Sequence, residues 1–209
     1  MLIIGLAGKT LDDRLNGSNL RKFDGIKDPV RNFANRNWGW VSLLKATEQS
    51  VNTAFVDLNL EVTPAATRDV AVRAGIPEDT DSLDVAANVL GVSSVRALDM
   101  AAAYSTFANE GMRTEPYLVQ SIAELNGNPV YEGGSVPKRA FEAEIMADTT
   151  YALTQVVEKG SGQTAKALDR PVAGKTGTSN SNKSAWFVGY TPQLVTAVSM
   201  YQIGEDGIK

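Results

Sequence analysis

VAGKTGTSNSNKSAWFVGY, residues 172–190, decides how this chain is read. Its first half admits two readings. In one, Gly174-Lys175-Thr176 closes a phosphate-binding loop; in the other, Lys175-Thr176-Gly177-Thr178 is a strand that lines a cleft. A phosphate loop has the form G-x-x-x-x-G-K-[ST] and joins a strand to a helix. Its first glycine would stand at position 169, where this chain has Asp169, an acid that repels phosphate. The next run is polar (179–183) and then almost continuously apolar (185–190), so the loop would lead into a strand. Gly8-Lys9-Thr10 fails in the same way, with Ile3 in the glycine position.

The strand reading has a chemical consequence. Residues two apart in an extended chain face the same side. Thr176 and Thr178 therefore present two hydroxyls together, and Lys175 brings a positive charge to the same rim. Gly177 lets a substrate lie close to the backbone. This combination suits a substrate with a carboxylate and an amide carbonyl, with the Thr178 N–H as one donor to a developing oxyanion. The bland alternative is a plain strand with a glycine kink.

Around this stretch, 172–178 reads as a strand, 179–183 as a polar turn and 185–190 as a strand buried on both faces. The chain turns at 191–193, and 194–201 reads as a third strand, completing an antiparallel meander. Upstream, 1–8 reads as the end of a helix stopped by Gly8. Residues 9–39 form a polar, aperiodic segment too long for an idle connection. A helical pattern starts at Val41, carried by Leu44, Val51, Phe55 and Leu58. Thr63-Pro64 opens a further helix that ends at Ala74-Gly75. An Ala-rich helix spans 94–110, a hairpin around Asn126-Gly127 joins 117–125 to 129–132, and a helix spans 141–158. Helices precede the sheet, so the fold class is α+β, a helical cluster plus an antiparallel sheet.

Composition narrows the chemistry. The 209 residues are 43% hydrophobic and 21% charged, with a net charge of −4. That balance is globular and argues against a nucleic-acid partner, which a basic patch would serve. There is no cysteine and no histidine. Disulfides, Ser-His-Asp triads and Cys-His dyads are excluded, and with them most transition-metal sites. Proton carriers must come from Lys, Asp, Glu, Ser or Tyr. No stretch is long and apolar enough to span a membrane.

A second polar pair stands at Ser50-Val51-Asn52. On a continuous helix Ser50 and Asn52 point to different sides. They can face one cleft only if the helix breaks there; Ser50 would then relay a proton and Asn52 hold a substrate amide. Otherwise they are ordinary polar residues on a helix surface.

S-x-N followed far downstream by K-T-G-T resembles penicillin-binding proteins and serine β-lactamases. The surrounding sequence strengthens the likeness. ATEQSVNTAFVDL (46–58), LGVSSVRALDMAAAYSTFANEGMRTEPYLVQSI (90–122) and RPVAGKTGTSNSNKSAWFVGYTPQLVTAV (170–198) resemble the transpeptidase domain of bifunctional, class A penicillin-binding proteins over nearly the whole chain. The resemblance implies a β-lactamase/transpeptidase-like fold. It implies that Ser50 passes protons during acylation, that Asn52 orients the substrate side chain and that Lys175 supports the relay. Thr176 and Thr178 would hold the substrate or β-lactam carboxylate beside Gly177, and the Thr178 backbone would form one arm of the oxyanion hole. The implied partners are peptidoglycan stem peptides and β-lactam antibiotics. No cofactor and no metal are implied.

The family's nucleophile lies in a Ser-x-x-Lys motif well upstream of S-x-N. Ser42-Leu-Leu-Lys45 fits the letters but stands only eight residues before Ser50, so it reads as a surface helix pair. MLIIGLAGKTLDDRLNG (1–17) resembles the end of the nucleophile's helix and the segment just beyond it. Residues 1–209 are therefore expected to be a partial transpeptidase domain, lacking the upstream Ser-x-x-Lys segment, the first two strands of the family's sheet and the C-terminal helix. The alternatives are a non-catalytic remnant or binding module of the same fold, and a serine β-lactamase, for which no acid is clearly placed as a deacylating base. The resemblance puts the parent protein at the extracytoplasmic face of the bacterial membrane, reached through an anchor upstream of this chain.

Overall fold

A computed structural model describes residues 2–179 and 183–201. Helix α1 (Leu2–Leu6) ends where Gly8 takes a positive φ of 64°. Strand β1 (Arg14–Asn16) pairs antiparallel with β2 (Trp40–Ser42), closing the long intervening segment into a loop. Asn32, 3% exposed, pins that loop: its amide donates to the Gly17 and Arg36 carbonyls at 2.8 and 3.1 Å. Helices α2 (Leu43–Gln49), α3 (Asn52–Val62) and α4 (Pro64–Ala74) come next. Ser42 caps the first of these. Thr63 caps α4, with Pro64 in the first turn, where its missing N–H costs nothing.

Helix α5 (Ala97–Ala108) leads to two small ladders: β3 (Met112–Arg113) pairs with β6 (Lys138–Arg139), and β4 (Ser121–Ala123) with β5 (Pro129–Glu132). The longest helix, α6 (Ala143–Lys159), precedes the main sheet. That sheet is an antiparallel meander of β7 (Ala173–Thr178), β8 (Ser184–Thr191) and β9 (Leu194–Tyr201) in the order β7-β8-β9. Helix α6 packs along β7 and α5 lies across β8 and β9, so both cover one face of the sheet.

Three apolar clusters hold these parts together. Ile3, Ile4, Leu15 and Val41 pack with Leu43, Val51, Ala54 and Leu58, the last four fully buried. Val70, Ile76, Leu83, Phe141 and Met146 join α4 to the base of α6. Leu153, Ala173 and Tyr190 fasten α6 to the sheet beside Tyr104. Fully burying a side chain of this size contributes about 1.5–3 kcal/mol. Along β9 exposure alternates: Leu194, Thr196, Val198 and Met200 face outward, while Val195, Ala197 and Ser199 are half-buried toward the helices.

The expected α+β order and the meander are present, and several boundaries are corrected. Val41 lies in a strand, because its backbone pairs with Leu15. The periodic run Leu44–Leu58 belongs to two helices. Residues 9–39 are irregular apart from β1, one 3-10 turn at 33–35 and an Arg21–Val30 bridge. Strand β8 is buried only at Val188, Gly189 and Tyr190; Ala185, Trp186 and Phe187 are half-buried. The β3–β6 ladder is two residues long and leaves no alternation to read. Residues 180–182 of the expected polar turn, and 204–209 beyond the third strand, lie outside the described residues.

Gly111, between α5 and β3, has φ +86°, and a Cβ there would stand 2.2 Å from the Phe141 carbonyl oxygen. Gly111→Ala is therefore expected to destabilise the fold by roughly 2–4 kcal/mol, through an unfavourable φ and displacement of the α6 lead-in. Urea unfolding measures this; an unchanged midpoint would contradict the packing described.

Candidate functional site

The helix breaks at Ser50. Helix α2 stops with Ser50 at φ 55°, ψ 51°, Val51 is extended at φ −75°, ψ 97°, and α3 restarts at Asn52. A left-handed non-glycine residue is sparsely populated and costs on the order of 1 kcal/mol or more. Two features hold it: the Val51 N–H donates to the Ala46 carbonyl at 2.9 Å, and the Val51 side chain is fully buried. This is the break that the Ser50-x-Asn52 pairing requires.

Strand β7 supplies the facing wall. Its register against β8 sets Lys175 opposite Val188, Thr176 opposite Phe187 and Thr178 opposite Ala185. The Lys175 ammonium donates to Ser50 Oγ at 2.8 Å and to the Thr176 carbonyl at 2.9 Å. Among the described residues it forms no ion pair. Burial without a neutralising acid disfavours the charged form and pulls the Lys175 pKa down to about 8. A lysine so tuned exchanges protons readily near neutral pH, and the hydroxyl it contacts is Ser50.

The structure thus joins two predicted residues 125 positions apart. Asn52 is half-buried, but its amide nitrogen donates to the Arg31 carbonyl at 2.8 Å rather than to Ser50 or Lys175. Thr176 is bonded through its hydroxyl to Ser161 at 2.5 Å. Thr178 is exposed at the open end of β7. A Cβ on Gly177 would meet Trp186 at 3.4 Å, an ordinary contact, so packing against β8 leaves room for a side chain there.

Ser42 and Lys45 are otherwise committed. Ser42 Oγ accepts the Lys45 N–H at 3.2 Å as a helix cap, and the Lys45 ammonium pairs with Glu48 at 2.7 Å. A hydroxyl used as a cap and an ammonium held by a carboxylate make no nucleophile–base pair. Ser135-Val-Pro-Lys138 carries the same letters at the entry to β6, where Ser135 Oγ accepts the Glu115 N–H at 2.7 Å. Sequence reasoning also passed over Ser161, in a Gly-Ser-Gly after α6 that matches no motif and reaches Thr176 only through the fold.

A cavity of about 600 Å³ lies elsewhere, lined by Phe107, Met146, Thr150, Ala173, Tyr190 and Pro192. It adjoins the start of β7, about 17 Å along the strand from Thr178 at ~3.3 Å per residue. Among the described residues no acidic or similar cluster could hold a metal ion.

Known proteins share this architecture. The profile of the penicillin binding protein transpeptidase domain matches residues 3–207. Penicillin-binding protein 1A of Aquifex aeolicus is 31% identical over 92% of this chain and 27% of its own length. Penicillin-binding protein 1A of Mycobacterium tuberculosis is 32% identical over 84% of the chain and 24% of its own length. The solved structure of PonA1, a penicillin-binding protein of Mycobacterium tuberculosis, superposes with a TM-score of 0.83 at 28% identity, covering 99% of this chain and 62% of that one. PonA1 has also been solved in complex with penicillin V, with a TM-score of 0.81. The chain belongs to the penicillin-binding protein transpeptidase family, and its similarity is to the class A members 1A and 1B. It spans about a quarter of the length of these curated relatives.

The Lys175 ammonium is expected to titrate near pH 8, followed by NMR at its Cε; a midpoint near the usual lysine value of about 10.4 would contradict its burial. Its folded pKa lies below the unfolded one. The unfolded chain therefore binds the extra proton between about pH 8 and about pH 10.4, and the contribution of Lys175 to stability rises with pH across that window.

Proposed function

We propose that this chain forms two walls of a D,D-transpeptidase cleft that cross-links peptidoglycan stem peptides through an acyl-serine and is acylated by β-lactams. The observation that carries the proposal is the 2.8 Å contact between Lys175 Nζ and Ser50 Oγ, which unites the S-x-N turn and the K-T-G strand in one site. Family membership supplies the reaction class, and PonA1 bound to penicillin V supports β-lactams as ligands.

In this reading the nucleophile is a serine in a Ser-x-x-Lys segment outside residues 1–209. Its oxygen attacks the substrate carbonyl while its proton passes to the neutral lysine of the same segment, and the new C–O bond forms as the carbonyl electrons move onto oxygen. The Thr178 N–H donates to that developing oxyanion. Collapse breaks the C–N bond, and Ser50 Oγ hands a proton to the leaving nitrogen and is reprotonated through Lys175 Nζ. Thr176 and Thr178 hold the substrate carboxylate, charge-assisted bonds being the stronger ones. Gly177 leaves the strand open to the substrate backbone. Asn52, fixed by its bond to the Arg31 carbonyl, orients the substrate side chain. The site acts at the outer face of the bacterial membrane; among the described residues no helix is long and apolar enough to cross one.

Intact-mass measurement after incubation with a fluorescent penicillin tests the proposal. The 209-residue chain is expected to remain unmodified, and a polypeptide extended upstream through a Ser-x-x-Lys segment is expected to gain one adduct. An adduct on the chain alone would place the nucleophile within it. Absence of labelling in the extended protein would favour a non-catalytic binding module.

A further inference from the structure

The hydroxyl of Ser161 stands 2.5 Å from that of Thr176, yet Ser161 lies in no motif and belongs to the loop that leaves α6. That loop is held tightly. The Ser161 N–H donates to the Glu48 carbonyl at 3.1 Å, and Gln49 Nε2 donates to the Lys159 carbonyl at 3.3 Å. Gly160 presses so closely on α2 that a Cβ there would stand 2.1 Å from the Glu48 oxygen. The residues that fix Ser161 are thus the two that precede Ser50. The end of α6 is fastened to the S-x-N turn on one side and reaches the K-T-G strand on the other.

The contact between Ser161 and Thr176 lies at the exposed surface of the cleft. A threonine hydroxyl has one proton and rotates to suit its surroundings. If Ser161 donates to Thr176 Oγ1, that oxygen is occupied as an acceptor and its own proton is directed elsewhere. An arriving carboxylate, acceptor-only when ionised, needs that proton.

We propose that Ser161 is a positioning residue for the carboxylate subsite: it donates to Thr176 Oγ1 and so aims the Thr176 hydroxyl proton at the substrate carboxylate. The inference rests on the transpeptidase reading of the cleft and adds to it a residue that selects for a free carboxylate. Because Ser161 is anchored through Glu48 and Gln49, the same loop sets the distance between the proton-relaying turn and the carboxylate-binding strand.

The test uses the 209-residue chain and two non-covalent probes, N-acetyl-D-alanyl-D-alanine and its C-terminal amide, titrated by ¹H–¹⁵N NMR. Wild type is expected to bind the acid more tightly than the amide, with shifts at the Thr176 and Thr178 amides. Ser161→Ala is expected to weaken acid binding about three- to tenfold, the range for one hydrogen bond, and to leave amide binding unchanged. Ser161→Thr keeps the hydroxyl and is expected to restore acid binding. In a Thr176→Val background, Ser161→Ala should have no further effect. Equal loss of acid and amide binding in Ser161→Ala, or wild-type acid affinity in that variant, would overturn the inference while leaving the cleft reading intact. A wild-type chain that does not distinguish acid from amide would overturn both.

Discussion

A half-buried ammonium held by a hydroxyl organises this molecule. Lys175 enters from the sheet, Ser50 from the helical cluster, and they meet at 2.8 Å. Removing a charge from water is costly, and a single hydroxyl and a backbone carbonyl replace only part of the lost hydration. The cost appears as a lowered pKa, which is the property a proton-exchanging lysine needs. The same contact is thus a structural compromise and a chemical asset.

The surrounding fold supplies what this contact requires. Ser50 faces β7 only because α2 ends in a left-handed residue, and that residue is tolerated because Val51 is locked into the first apolar cluster. The long segment between β1 and β2 is laid against the start of α3 by Asn32, which accepts the Thr53 N–H at 3.1 Å, and by Asn52. Helix α6 then carries the sheet to the helices: Leu153 packs with Ala173 and Tyr190, and the end of α6 closes on Glu48 and Gln49. The helical cluster and the sheet are thus brought together at the cleft.

Much of this was legible in the sequence because its signals are local. Asp169 in place of a glycine excluded the phosphate loop, and Pro64 and the Asn126-Gly127 turn marked a helix start and a hairpin. That Ser50 and Asn52 could share a cleft only across a break in the helix came from helix geometry. The features that escaped the sequence were set by tertiary contact. Val41 joins a strand because Leu15 pairs with it, and the β3–β6 ladder is too short to show alternation. Ser161 gains its place only when α6 folds back onto α2, and no spacing records that approach. Asn52 was legible as a partner in the motif, but its hold on the Arg31 carbonyl depends on a loop with no periodicity.

Direct interaction of Lys175 with Ser50 across the cleft underlies both the fold of the site and its chemistry. A double-mutant cycle of Lys175→Met and Ser50→Ala, read by urea unfolding, measures that interaction with the other effects of each substitution subtracted. A coupling energy of about 1–3 kcal/mol, as for a hydrogen bond to a charged group, is the expected result. Strict additivity of the two substitutions would show that the walls do not meet through this pair.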